Sequence, residues 1–266
     1  MHWADNFLTI YYPELNKGMT IKMKFNIPAE ADIVSLQNRL YIFANNSATN
    51  NFHEIDLTEQ SLIQRASLLL KKRYHSPCTS NSYIFSIGGN DENNTSLKDG
   101  EKYSLATKKW EPLPDLQEPR CKSGTAYLKD CLYSIFGIHS VNGSSTNINT
   151  LEKLNLMKGL YWEQIKIDGN LGKGWTYLRK SENDECLILS NDQTMVQILV
   201  LSTESPKVLT HRIPMETSTN FTRSANGYYD PSRICFFEDS KQMYVYSKDE
   251  QFWSIVSTDS ILKACT

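Results

Sequence analysis

Long apolar runs are missing from this chain. A membrane-crossing helix needs about 18 consecutive apolar residues, and a stretch such as Ile198-Leu199-Val200-Leu201 is far too short. Met1-His2-Trp3-Ala4-Asp5 lacks the basic start and apolar core of a secretory leader. The expectation is therefore no membrane insertion and a cytoplasmic location, with cytoskeletal or organelle association compatible. Charge of one sign is missing too. Lys and Arg number 28 against 30 Asp and Glu, a net charge of −2. Bulk charge thus gives no footprint for nucleic acid or an anionic membrane. Lys71-Lys72-Arg73 is the one basic cluster and reads as a solvated loop.

Paired cysteines are absent. Cys78, Cys121, Cys131, Cys186, Cys235 and Cys265 include no Cys-x-x-Cys. Cys131, Cys186 and Cys235 each fall at the head of an expected strand. They read as small buried apolar groups in a reducing compartment. The Asn-x-Ser/Thr triplets at Asn45, Asn93, Asn94, Asn142 and Asn220 then read as Asn-rich loops.

Catalytic and metal signatures are equally scarce. Gly169 to Gly174 reads Gly-Asn-Leu-Gly-Lys-Gly, too short for a phosphate loop and without the closing Ser or Thr. Asp91 to Thr95 looks like the start of a calcium loop, but Ser96 stands where Gly is needed and Lys102 where Glu is needed. His2, His53, His75, His139 and His211 show no metal-ligand spacing. No Gly-x-Ser-x-Gly elbow occurs. Cys121 lies between Arg120 and Lys122, which could activate its thiol, but a buried strand would make it inert. No catalytic residue, cofactor or metal site is nominated.

What the chain does have is aromatic content and a repeat. Fourteen Tyr and ten Phe suit a strand-rich fold. Between Tyr83 and Ser123 an apolar run, Ile84-Phe85-Ser86-Ile87, ends in Gly88-Gly89. A polar loop follows, then Tyr103, Trp110, Pro112, Pro114 and Arg120. Each residue suits a sheet packed face to face with others. A strand buried on both faces reads as a continuous apolar run. The glycines tolerate positive φ and close backbone approach. Tyr103 and Trp110 fill space between sheets while offering one polar handle. Arg120 can donate from a planar fork to strand-end carbonyls.

Weaker copies recur. Glu101-Lys102-Tyr103-Ser104-Leu105 matches Glu152-Lys153-Leu154-Asn155-Leu156, and Trp110-Glu111 matches Trp162-Glu163 with one residue inserted. Tyr246 and Trp253 repeat the spacing of Tyr103 and Trp110. Leu62 sits where Trp is expected, and Arg73-Tyr74-His75-Ser76 parallels Arg120-Cys121-Lys122-Ser123. Central strands then begin near residues 40, 84, 132, 186 and 234, the spacing of propeller blades.

The order of apolar strand, Gly-Gly, Tyr, Trp, Pro and Arg resembles the kelch repeat. The resemblance implies an all-β, kelch-type β-propeller of four-stranded antiparallel sheets. About six blade positions are expected across residues 1–266, as a single domain. Five repeats fall within 31–258, and 1–28 forms a partial blade from strands Phe7 to Tyr12 and Met19 to Phe25. Only Ile261 to Thr266 remains to complete that blade, so ring closure is open. Glu59 to Arg73 reads as an outer strand and its connection, although Leu62, Ile63, Ala66, Leu69 and Leu70 also fit helical spacing.

Kelch propellers are mostly binding platforms, so the resemblance implies a noncatalytic scaffold docking protein partners through loops on one face. The loops Asn45 to Asn51, Asn90 to Gly100 and His139 to Asn149 are the candidates. Within them the partner-binding residues are Asn45, Asn90, Asp91, Asn93, His139, Asn142 and Asn147. The segment Asn220 to Tyr229 is a second candidate. Three rivals stand beside this reading. A ubiquitin-ligase recognition subunit would need an upstream BTB or F-box domain, for which the expected first strand leaves no room here, so this alternative holds if the natural chain is longer. A propeller enzyme with an unrecognised site is the second; one of the copper oxidase type, like galactose oxidase, would need a Tyr/His/Cys constellation that these residues do not assemble. A degenerate structural subunit would fit the eroded copies near Glu185 to Arg223.

Overall fold

The computed structural model describes residues 2–4, 6–12, 17–28, 31–43, 45 and 49–165, and eight strands between 178 and 257. All regular structure among them is β. The first sheet holds β1 (His2–Ala4), β2 (Phe7–Tyr12) and β3 (Lys17–Lys22). The second holds β4 (Asp32–Leu36), β5 (Arg39–Phe43), β6 (Phe52–Asp56) and β7 (Ser61–Gln64). The third holds β8 (Ser76–Thr79), β9 (Tyr83–Ile87), β10 (Gly100–Ser104) and β11 (Lys109–Leu113).

The fourth sheet begins with β12 (Gly124–Leu128) and β13 (Cys131–Ile135). The chain then makes a separate hairpin, β14 (Ile138–Val141) with β15 (Ser144–Asn147). It returns to the sheet as β16 (Leu151–Asn155) and β17 (Glu163–Ile165). The fifth sheet holds β18 (Leu178–Lys180), β19 (Glu185–Leu189), β20 (Met195–Val200) and β21 (Lys207–Arg212). The sixth holds β22 (Gly227–Tyr229), β23 (Arg233–Phe237), β24 (Gln242–Ser247) and β25 (Phe252–Ser257).

Five sheets therefore have four strands, all antiparallel and in chain order, and the first has three. The first strands β4, β8, β12, β18 and β22 lie next to one another in that sequence. Each sheet is thus a blade with its first strand innermost. The expected central strands are β5, β9, β13, β19 and β23. The N-terminal blade contributes three strands rather than the expected two, because His2–Ala4 pairs with Phe7–Thr9. Its place for an innermost strand has no occupant among the described residues, and Ile261 to Thr266 lies outside them.

The core runs between blades. On β9, Ile84 joins Tyr41, Phe43, Phe52, Tyr103 and Trp110 against the second sheet. On the opposite face Phe85 and Ile87 join Leu132, Leu154 and Trp162 against the fourth. Both faces being buried explains the unbroken apolar run. Each such side chain contributes roughly 1.5–3 kcal/mol. A further cluster joins Leu8, Met23 and Ile27 of the N-terminal region to Ile33, Leu40, Ile42 and Ile55 of the second sheet.

The segment Glu59 to Arg73 is a strand and its connection, not a helix. Leu62 faces Ile55 across β6–β7. The Arg65 and Leu68 amides donate at 2.9 Å to the Phe52 and Asn50 carbonyls, committing the backbone to the neighbouring strand rather than to its own turn. Leu68 is buried while Leu69 and Leu70 face solvent, which breaks the helical stripe.

Candidate protein-interaction face

The segments between central and third strands share one end of the blades with the connections from each outer strand to the next inner strand. Backbone bridges weave them together. Thr49 meets Lys72, Arg73 meets Asn90, and Cys121 meets Ile138. The Arg73 and Asn90 amides each donate to the other residue's carbonyl, at 2.9 and 2.7 Å. Cys121 and Ile138 do the same at 2.9 Å each way.

These bonds fix the true repeat register. Arg73 corresponds to Cys121, so the counterpart of Arg120 is Lys72. The sequence parallel between Arg73 and Arg120 is therefore one residue out. Lys72 is likewise no part of a solvated loop. It is 0% exposed, with its Nζ 2.8 Å from Glu101 Oε1. Burial pulls the Lys72 ammonium below its ordinary range, and the Glu101 carboxylate opposes that. Arg120 is buried in the equivalent place one blade on. It pairs with Glu152 and donates from Nη1 to the Phe136 and Thr150 carbonyls at 3.0 and 3.2 Å. Those carbonyls lie at strand ends, as the fork geometry suggests. Glu101 and Glu152 also accept backbone amides, from Leu69 and Gln117, each at 2.7 Å.

Gly88 and Gly89 have φ of +60° and +117°. A Cβ on Gly88 would lie 2.3 Å from the Arg120 carbonyl oxygen, so the close approach anticipated for this pair is real. The indole handles are also satisfied between blades. Trp110 Nε1 donates to the Ala66 carbonyl and Trp162 Nε1 to the Pro114 carbonyl, both at 2.9 Å.

The candidate residues divide by this geometry. Asn45 is buried and donates to Asp32 and to the His75 carbonyl at 3.1 Å. It occupies the position of Gly89 and belongs to the scaffold, not to an exposed loop. Asn90 is buried too, its Oδ1 accepting from Ser96 Oγ at 3.0 Å. Both were expected on a binding surface. Their amides are instead drawn inward because the strand ends leave backbone and hydroxyl groups needing partners. Asp91 is half-buried and accepts the Asn93 and Thr95 amides at 2.9 and 2.8 Å, which fixes a turn. Asn93 is exposed at its tip.

His139 does not start an irregular loop. It lies in β14, opposite Thr146, and is half-buried. Asn142 and Gly143 have φ of 49° and 82°, which makes them the centre of a two-residue hairpin turn with both φ positive. Asn142-Gly143 was the available sequence signal for this hairpin. Asn142 and Asn147 are exposed, as is all of β15.

The Asn90–Gly100 loop and the hairpin are one unit. The Ser96 amide donates to the Ser140 carbonyl at 2.8 Å, and the Ser140 amide donates to Ser96 Oγ at 2.9 Å. Asp91, Asn93, His139, Asn142 and Asn147 thus share a joined surface. Cys121 is buried beneath it, its Sγ 4.0 Å from Ser140 Oγ. Among the described residues no three His, Cys, Asp or Glu side chains group as metal ligands. Gly169 to Gly174 lies outside the described residues, as does all of Asn220 to Tyr229 apart from the backbone of β22.

Another surface was missed by sequence reasoning. At the far end of β16, the turn into β17 exposes Met157, Leu160 and Tyr161 at 77%, 86% and 64%. The residue inserted before Trp162 was its trace in the repeat.

With the third sheet, its Gly-Gly end, the Trp110 handle and the Arg120 fork placed, the comparison with known families is direct. The Kelch motif family model matches residues 71–117. The kelch match spans the third sheet, the blade nearest the repeat pattern. The fold is similar to the solved structure of YjhT, with a TM-score of 0.63 over 85% of this chain and 82% of that one, at 11% identity. The architecture is a kelch-type β-propeller with a degenerate repeat. At the level of sequence no curated protein matches.

Proposed function

We propose that this kelch-type propeller is a noncatalytic interaction module that docks a protein partner on the face carrying the Asp91 turn and the β14–β15 hairpin. The observation that carries this reading is the reciprocal bonding of Ser96 and Ser140, at 2.8 and 2.9 Å. It ties loops of two blades into one surface. A surface ordered before binding loses less entropy on docking. Its exposed groups, Asn93, Asn142, Ser144, Ser145, Thr146 and Asn147, are adaptable hydrogen-bonding types also favoured in antibody paratopes. Val141 adds an exposed apolar contact. Large aromatic anchors then fall to the partner.

The test is crosslinking of the intact chain in its native source, followed by mass spectrometry. The expected result is a stoichiometric partner joined through residues 90–100 or 139–149. Partners joined only elsewhere, or a chain recovered as a free monomer, would overturn the assignment of this face.

A further inference from the structure

The turn between β16 and β17 departs from its counterparts in the same chain. The second blade turns through Leu57-Thr58-Glu59-Gln60 and the third through Leu105-Ala106-Thr107-Lys108. The fourth uses Leu156-Met157-Lys158-Gly159-Leu160-Tyr161, which is longer and carries three large apolar side chains out into solvent. The turn is held in shape. Asn155 Oδ1 accepts the Met157 and Lys158 amides at 2.9 and 3.1 Å. The Leu156 amide donates at 2.8 Å to the carbonyl of Asp130 in the adjoining turn. An exposed apolar cluster on a rigid turn marks a contact site.

The charges around it have one dominant sign. Lys108, Lys129 and Lys158 are exposed in turns, and Lys109 at the start of β11, at this end of two adjacent blades. The lysines outnumber the carboxylates nearby, of which Glu111 is ion-paired while Asp130 and Glu163 keep their charge. Glu111 pairs with Lys102 at 3.2 Å, Glu163 lies opposite Lys153, and Asp130 accepts the Tyr127 hydroxyl at 2.8 Å. A net charge of −2 for the whole chain conceals this local cationic rim.

We propose that the Met157–Tyr161 turn is a membrane-surface anchor that inserts into the headgroup boundary of an anionic bilayer. Three features favour lipid over a protein pocket. The apolar side chains stand largely out in solvent, and a bilayer needs no complementary shape. Three side chains fall short of the roughly 800 Å² per partner of a stable protein interface. Lysines beside aliphatic and tyrosyl groups suit anionic headgroups above an acyl boundary. Surface insertion differs from spanning and needs no long apolar run. The anchor lies at the opposite end of β16 from the hairpin, so lipid and a protein partner can be held together.

The test is flotation of the intact chain with vesicles of equal parts phosphatidylcholine and phosphatidylserine, alongside phosphatidylcholine alone. The chain is expected to float with the anionic vesicles and to be released by salt. Met157→Asp with Leu160→Asp should weaken partition by at least about tenfold. Lys129→Glu with Lys158→Glu should weaken it by about fivefold per lysine. All four sites are exposed, so thermal midpoints should stay near that of the parent. In Leu160→Trp the indole emission should shift to the blue on anionic vesicles. Failure of the parent to float, or equal flotation after the two aspartate substitutions, overturns the proposal. So does loss of a protein partner in the aspartate variant when neither chain floats, since that makes the turn a protein anchor.

Discussion

Lys72 and Glu101 form an ion pair at 2.8 Å with side chains 0% and 2% exposed, the lysine entering from the connection between blades and the glutamate from β10. Arg120 and Glu152 repeat the arrangement one blade on. The third-strand glutamate therefore does two jobs, neutralising a buried cation and accepting the amide of the incoming chain.

Removing one partner leaves an uncompensated buried charge. Lys72→Met or Glu101→Leu should each cost about 3–5 kcal/mol. Replacing both with Lys72→Met and Glu101→Leu should cost clearly less than the two singles together. Urea denaturation of the four chains tests this. A strictly additive double variant would show that the pair is not coupled.

The tryptophan handles separate packing from hydrogen bonding. Trp110→Phe and Trp162→Phe keep a ring between blades but strand the Ala66 and Pro114 carbonyls. Each should cost about 1 kcal/mol from the hydrogen bond, together with a smaller packing loss. The corresponding alanine variants should cost about 3–5 kcal/mol. Equilibrium unfolding resolves the two classes.

The fold was legible because local chemistry and repeat spacing agree. Ile84 to Ile87, Gly88-Gly89 and Trp110 each do in the structure what their residue types suggest. Register was less legible. Arg73 matches Arg120 by residue type, yet the bonds of Arg73 with Asn90 and of Cys121 with Ile138 make Lys72 the equivalent. A lysine filling an arginine's place gives no sequence signal of its own. The candidate face was partly legible. Asn93, Asn142 and Asn147 are exposed as expected, but composition cannot tell them from Asn45 and Asn90, which turn inward. Bulk charge hid the lysine rim for the same reason: it averages over position.

His53 gives a test in pH. Burial holds its imidazole below the ordinary value of 6.5, with a hydrogen bond donated to Gln64 opposing. The unfolded chain then binds a proton more readily than the folded one. Stability from this group is full above pH 6.5 and declines as pH falls through the lower folded value. His53→Gln should flatten the denaturation midpoint over that interval. An unchanged slope would place the pH dependence elsewhere.

Glycine substitutions separate space from conformation. Gly88→Ala meets the Arg120 carbonyl oxygen at 2.3 Å and also carries a φ of +60°. Gly143→Ala meets nothing within 4 Å, so its φ of +82° is the only obstacle. A positive φ costs a non-glycine residue about 1–2 kcal/mol, which should be the whole cost at Gly143. Gly88→Ala must in addition push Arg120 away, disturbing the Gly89 amide's 2.9 Å bond to the same carbonyl and the buried pair with Glu152. It should exceed Gly143→Ala by at least about 2 kcal/mol, in the range of lost buried hydrogen bonds. Amide hydrogen exchange should show the excess as faster exchange at Gly89. If the two variants unfold at the same midpoint, the backbone approach at Gly88 is not what holds the third and fourth blades together.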